Sequence, residues 1–187
     1  MKRLAKLIYK IWGWKLEGQP PPSVSKFVFI VAPHTSMWDF VIGWLAIQIL
    51  GLRTRYLIKK EMFFWPLGPF LKALGGIPVD RKKGKDVFNE AVEMMKKEEK
   101  LTLVITPEGT RSLVANWKRG FYRIASAAEI PVVLGYIDYK KKVSGVGPAI
   151  YCDRPFTEVK ETLDNFYCGI SGKHPERFNL DECDKKE

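Results

Sequence analysis

Apolar and polar positions along the chain fall into two alternating rhythms. Lys26-Phe27-Val28-Phe29-Ile30-Val31 is a nearly unbroken apolar run that reads as a buried strand, and Pro33 ends it. From about Met37 to about Leu50 the apolar residues continue for the length of a helix, with Thr35 or Ser36 placed to cap its start and Gly51 to stop it. Arg55-Tyr56-Leu57-Ile58-Lys59 reads as a second strand, and Gly76-Ile77-Pro78-Val79-Asp80-Arg81 as a short, edge-like third. Asp86 to Lys97 repeats at helical spacing, with Val87, Ala91, Met94 and Met95 on its buried side. Leu101 to Thr106 is the clearest buried strand, followed by a helix from Phe121 to Glu129, a strand from Ile130 to Tyr139, another from Val146 to Cys152, and a closing helix from Glu158 to Ile170. This alternation predicts an α/β fold: a single domain with a central, mostly parallel sheet flanked by helices.

The two ends differ from the middle. In Met1 to Leu16, Leu4, Leu7, Ile8 and Ile11 form one stripe, Arg3, Lys6 and Lys10 lie off it, and Trp12 and Trp14 follow. Such a helix suits a membrane interface, where rings sit among headgroups and lysines meet phosphates. It equally suits an amphipathic helix docked on its own domain. Gln19-Pro20-Pro21-Pro22-Ser23 reads as a stiff linker that sets it apart. The expected organisation is therefore an amphipathic membrane-association helix over 1–18, a folded domain over 19–175, and a polar tail over 176–187, ordered only in part. Glu61 to Leu71 is too broken by Pro and Gly for one long helix and too apolar for an ordinary surface loop, so it either lines a groove, touches a bilayer or closes the core. The longest largely apolar run, Phe40 to Leu52, falls short of the roughly 20 residues that cross a bilayer, and no signal-peptide pattern is present.

Composition narrows the partners. With 187 residues and 46% hydrophobic content the chain has material for one real core. Its 31 Lys+Arg against 21 Asp+Glu leave a net charge of +10, which favours an anionic partner: nucleic acid, anionic lipid or a phosphorylated substrate. The basic residues are scattered and no nucleic-acid motif occurs, so no nucleic-acid partner is expected. Cys152, Cys168 and Cys183 never form a C-x-x-C pair and have only His174 nearby, which argues against a metal site and for free thiols.

Two constellations carry candidate chemistry. His34 and Asp39 stand five positions apart, roughly 140° around a helix, so they can cooperate only if His34 precedes the helix that carries Asp39. A carboxylate there can accept one imidazole N–H, fix the tautomer and leave the other nitrogen as a general base. Ser36-x-x-Asp39 also fits a capping box, in which the acid merely bonds back to the cap's N–H. The second is Pro107-Glu108-Gly109-Thr110-Arg111-Ser112, directly after a strand: Gly109 permits a tight turn, the N–H groups can form an anion-holding concavity, and Arg111 can grip a phosphate. Read blandly, it is only a turn. Arg81 stands out among its basic neighbours because it falls directly after a strand.

Four blocks in order match a known pattern. His34-Thr35-Ser36-Met37-Trp38-Asp39, then Lys60-Glu61 through Gly76-Ile77-Pro78-Val79-Asp80-Arg81, then Pro107-Glu108-Gly109-Thr110-Arg111-Ser112, then Ile130-Pro131-Val132-Val133 resemble the glycerolipid acyltransferases, the 1-acylglycerol-3-phosphate acyltransferase family. The resemblance implies an acyltransferase domain in which His34 is the base, oriented by Asp39, and in which the acceptor's alkoxide attacks an acyl-CoA or acyl carrier protein thioester directly. It implies that Arg81, Glu108, Gly109, Thr110 and Arg111 hold the phosphate or polar head of a lysophospholipid acceptor. It also implies an apolar groove for the acyl chain, with Phe63 to Leu71 and the helix after Asp39 as candidates. No cofactor and no metal are expected, and the protein would sit peripherally on the cytoplasmic face of a membrane. Pro33 stands where many members have Asn, Thr106 replaces a common aromatic, and Leu134 stands where a second Pro is frequent, which leaves the acceptor open. Two rivals remain: a lipid esterase using Ser36 or Ser112, although no G-x-S-x-G elbow occurs, and a non-enzymatic binder of anionic membranes.

Overall fold

The computed structural model describes residues 1–80, 82–178 and 180. Among them, seven strands form one sheet: β1 (Lys15–Glu17), β2 (Lys26–Ala32), β3 (Thr54–Lys59), β4 (Gly76–Val79), β5 (Leu101–Ile105), β6 (Val132–Asp138) and β7 (Val143–Ile150). Their spatial order is β1-β7-β6-β2-β5-β3-β4, and every pairing is parallel except β6 with β7. Six helices accompany them: α1 (Lys2–Trp12), α2 (Trp38–Leu50), α3 (Leu67–Ala73), α4 (Gly84–Lys97), α5 (Gly120–Ala128) and α6 (Phe156–Tyr167). The expected mostly parallel α/β sheet is present, and β4 is indeed an edge strand.

β2 is apolar throughout because it is covered on both sides. Val28, Ile30 and Ala32 join Met95 of α4, Phe121 and Ile124 of α5, and Leu163 and Tyr167 of α6 in the largest core cluster. Phe27 and Phe29 point the other way, with Val133 and Val146. α2 lies on that second side, and apart from Asp39 its thirteen residues carry no charge. A helix that is apolar all round needs cover on its outer side as well. α1 supplies it: Ala5 and Tyr9 pack with Ile42, Leu45 and Ala46, and the Tyr9 hydroxyl donates to the Ile42 carbonyl at 2.7 Å.

The pairing registers decide where the loops begin. Ile30 of β2 is paired with Ile105 of β5 on one side and with Leu134 of β6 on the other, so the segments that leave these three strands start side by side at their carboxyl ends. Ligands of open α/β sheets sit at this edge.

Several expectations are revised. α1 is not held apart by the proline linker; it docks through Ala5 and Tyr9 while Met1, Leu4, Leu7 and Ile11 stay exposed. β1 was not foreseen, because three residues have no period of their own and become a strand only beside β7. The Glu61 to Leu71 stretch contains the seven-residue α3. Within the polar tail expected over 176–187, Phe178 and Leu180 pack on the main core, and 181–187 lie outside the described residues. Cys152 is a buried free thiol, whereas Cys168 is disulfide-bonded, against the expectation of free thiols, and Cys183 lies outside the described residues. Among the described residues no helix is long and apolar enough to cross a membrane.

Leu103 sits at the centre of β5 with no exposed surface. Leu103→Ala is expected to cost about 2–5 kcal/mol, read as a fall in denaturation midpoint without a change in slope.

Candidate active site

Asp39 opens the first turn of α2, and its carboxylate is the anchor of the site. Its Oδ2 accepts the main-chain N–H of Thr35 at 2.7 Å and of Ser36 at 2.8 Å, while Ser36 Oγ accepts the Trp38 N–H at 3.2 Å. The bond from the Ser36 amide back to Asp39 is one half of a capping box; Ser36 Oγ takes the Trp38 amide instead of the Asp39 amide, and Met37, with no side-chain cap, stands at the helix start where Thr35 or Ser36 was expected. The same Oδ2 lies 3.3 Å from His34 Nδ1, so the carboxylate pins the turn that leads into the helix and holds the imidazole at once. The two readings of the Ser36-x-x-Asp39 spacing are one structure. Tyr139, beyond the end of β6, donates its hydroxyl to Asp39 Oδ1 at 2.8 Å. Burial pushes the Asp39 carboxyl up, but the hydrogen bonds from His34, the Ser36 amide and Tyr139 outweigh it and leave it below the usual carboxylate range. His34 keeps 22% of its side chain exposed, and with Nδ1 turned to Asp39 its Nε2 is the nitrogen available for proton transfer.

The loop after β5 meets this dyad from the side. Glu108 accepts the His34 main-chain N–H through Oε1 at 2.8 Å, and it is only 3% exposed. Its Oε2 is buried without a hydrogen-bond partner among the described residues. Burial pushes the Glu108 carboxyl up to about 7, against the lowering effect of the main-chain amides of Glu108 and His34. Gly109 follows at φ 66, a conformation that side-chain-bearing residues rarely adopt. A Cβ there would come within 2.9 Å of Lys118 Cδ and Nζ, so the lysine side chain lies directly along the turn. Lys118 is tied to the turn through its main chain as well, donating to the Pro107 carbonyl at 2.8 Å. Among the described residues neither Arg111 nor Lys118 has a carboxylate within ion-pair distance, so both cations are available to an anionic ligand.

A cavity of about 730 Å³ joins these parts. His34, Asp39, Gly109, Thr110, Arg111 and Lys118 line its polar end. Phe29 and Val31 of β2 with Phe40, Gly43, Trp44 and Ile47 of α2 line an apolar extension beneath the helix. Size and lining suit an amphiphilic ligand with one anionic head. Five of the residues singled out in the sequence, His34, Asp39, Gly109, Thr110 and Arg111, therefore share one cavity. Glu108 does not line it; its carboxylate turns inward to the His34 main chain. Arg81 lies outside the described residues. Of the two segments considered for an acyl chain, α2 forms the apolar wall, while the stretch from Phe63 contributes Leu71 and otherwise exposes Phe64, Trp65 and Phe70. Tyr139 was missed, and Lys118 was legible only as one of the cations that Trp117-Lys118-Arg119-Gly120 adds after the turn. A lone tyrosine at a strand end carries no spacing signal.

A family model for acyltransferases, described simply as Acyltransferase, matches residues 15–137. The chain belongs to this acyltransferase family. The resemblance seen in the four sequence blocks thus holds over most of the sheet, from β1 to Ile137, one residue short of the end of β6. Among similar proteins, the 1-acyl-sn-glycerol-3-phosphate acyltransferase of Limnanthes alba is 28% identical over 134 residues, which cover 68% of this chain and 46% of that protein. A protein of the same name from Cocos nucifera is 28% identical over 142 residues, covering 70% of this chain and 45% of its own length. The chain spans about half the length of the curated relatives it matches. Within the acyltransferase match, β2, β5 and β6 supply the three carboxyl ends around the cavity, whereas Tyr139 stands just past its boundary.

Glu108 supplies a pH signature. Its carboxyl, near 4.5 unfolded and about 7 folded, binds its proton more tightly in the native state, so it takes stability away as pH rises from about 4.5 to 7 and adds no further change above that. Glu108→Gln keeps an acceptor for the His34 N–H and removes the ionisation. Between pH 5 and 7.5 the stability difference is expected to move in the variant's favour by on the order of 2–3 kcal/mol, measured by paired denaturant titrations.

Proposed function

We propose that this chain is an O-acyltransferase that moves an acyl group from a thioester, acyl-CoA or acyl carrier protein, to the free hydroxyl of a lysophospholipid such as 1-acylglycerol 3-phosphate. The observation that carries the reading is the shared cavity: a histidine with one nitrogen held by a buried carboxylate, two cations, Arg111 and Lys118, with no carboxylate in ion-pair distance among the described residues, and an apolar extension beneath α2. The relatives named 1-acyl-sn-glycerol-3-phosphate acyltransferase support the acceptor class.

In this reading Thr110, Arg111 and Lys118 hold the acceptor's phosphate, which places the glycerol hydroxyl against His34. His34 Nε2 takes the hydroxyl proton while Asp39 stabilises the imidazolium that forms. The alkoxide oxygen bonds to the thioester carbonyl carbon, the carbon–sulfur bond breaks, and the departing sulfur takes the proton from Nε2. The products are an ester and a free thiol, and His34 returns to its starting state. Ser36 is poorly placed for the rival esterase, because it is buried and its Oγ is engaged by the Trp38 amide.

An insoluble acceptor must be collected from a bilayer. α1 turns Met1, Leu4, Leu7 and Ile11 outward, the last 70% exposed, among exposed Lys2, Arg3, Lys6 and Lys10. Met37 and Met62 line the cavity and are exposed, and Trp65 nearby in the chain is 85% exposed. Peripheral attachment to an anionic surface through these groups fits the net charge, each lysine near such a surface adding about 1 kcal/mol.

The test incubates purified protein with labelled acyl-CoA or acyl carrier protein and a panel of lysolipids, with products identified by mass. Transfer to a phosphate-bearing acceptor is expected. His34→Ala is expected to lose on the order of 10²–10⁴-fold in kcat with the fold intact; more than about a tenth of the activity remaining would remove His34 as the base.

A further inference from the structure

Asp39 divides its two oxygens between different sources. Everything on Oδ2 comes from its own neighbourhood, namely the Thr35 and Ser36 amides and the His34 ring. The hydrogen bond to Oδ1 comes from Tyr139, a hundred residues away in sequence. These donors all meet one oxygen and cannot by themselves fix the carboxylate plane against the sheet. Tyr139 can, because its main-chain N–H is tied to the Ser171 carbonyl at 2.9 Å. Its ring stands edge-on to Trp14, with centroids 5.1 Å apart and planes at 89°. Trp14 is in turn held to α1: its N–H donates to the Tyr9 carbonyl at 2.8 Å, and its ring packs against that of Tyr9. Both residues fall just outside the acyltransferase match of 15–137, one at each end.

We propose that Tyr139 is a positioning residue for Asp39 and that Trp14 seats it, so that the segment joining α1 to β1 completes the site from outside the region the family shares. The inference rests on the proposed role of His34 and Asp39. It gives the amino-terminal segment a part in turnover that is separate from holding a membrane.

The titratable groups around Asp39 and Tyr139 are His34 after β2, Glu108 after β5, Tyr139 itself after β6, Tyr9 of α1 behind it, and the cations Lys142 and Lys173, which line a small pocket with Trp14 and Tyr139. Burial and the Asp39 carboxylate push the Tyr139 hydroxyl far above its ordinary range, so it remains a donor across the working pH. Losing that donor removes one of the influences that keep the Asp39 carboxyl low, and the acidic limb of the rate profile then moves up.

The experiment follows acyl transfer by the whole chain to a water-soluble, short-chain lysophosphatidate, which takes vesicle binding out of the readout. Tyr139→Phe is expected to lower kcat about 10-fold with KM within about twofold, and to raise the acidic limb by about half a pH unit or more. Trp14→Leu is expected to move the limb the same way with a loss of about threefold, while Trp14→Phe, which keeps a ring, retains the parent profile. An acidic limb unmoved in both Tyr139→Phe and Trp14→Leu would overturn the inference, and should Tyr139→Phe melt below the assay temperature, the Trp14→Leu profile decides. A His34→Ala chain as active as the parent would instead sink the underlying reading, so the two failures are told apart.

Discussion

A carboxylate buried at the start of a helix has to be fully satisfied, and the demands of Asp39 shape the carboxyl edge of this sheet. Its oxygens take two main-chain amides, an imidazole and a phenol. An ionised carboxyl without such partners would be too costly to bury. Meeting the demand fixes three things together: the start of α2, the direction of His34, and the approach of the chain after β6. The turn into α2 and the imidazole orientation therefore share one group, and a change at residue 39 cannot touch one without the other.

The sheet makes this economical. β2 lies between β5 and β6 in parallel register, so loops 74 and 100 residues distant from the dyad arrive at its side without long detours. Glu108 reaches across from β5 to the His34 main chain, binding the second loop to the first. Because its carboxyl is pushed up by burial, that strut is partly uncharged near neutrality and costs less to bury. The turn beyond it then exposes Thr110 and Arg111 to the cavity, with Lys118 laid along Gly109. Neighbouring residues of one loop thus divide the work, one facing inward to brace and two outward into the cavity.

Much of the fold was legible because its core strands and α2 are apolar over their whole length, a pattern that needs cover on both faces. His34, Asp39 and the turn at Gly109 were legible for a different reason: each sits where an apolar run stops at Pro33 or Pro107, and loops at strand ends carry side chains that the core has no use for. What stayed hidden depends on partners distant in sequence. Lys15-Leu16-Glu17 becomes a strand only because Val143-Ser144-Gly145 lies beside it. The inward turn of Glu108 depends on the His34 amide, which no spacing within its own block reveals. Tyr139 matters through a hydrogen bond spanning a hundred residues, and α1 was read for its apolar stripe when Ala5 and Tyr9 are what it buries.

That inversion in α1 bears on how a peripheral protein could work. A helix that buried its strongest apolar stripe against its own domain would leave little to enter a bilayer, and one that buried nothing would be free of the fold. α1 uses a small residue and a tyrosine to dock, and Tyr9 also bonds the Ile42 carbonyl within α2, the helix that walls the apolar part of the cavity. Ile8 packs part-buried beside Ala5 and Tyr9, while Leu4, Leu7 and Ile11 remain outside with the lysines. The face that the proposed reading gives to lipid and the face that supports the cavity are therefore opposite sides of one rigid rod. An interfacial helix built this way sets the orientation of the cavity relative to the surface it lies on, which a flexible tether could not do.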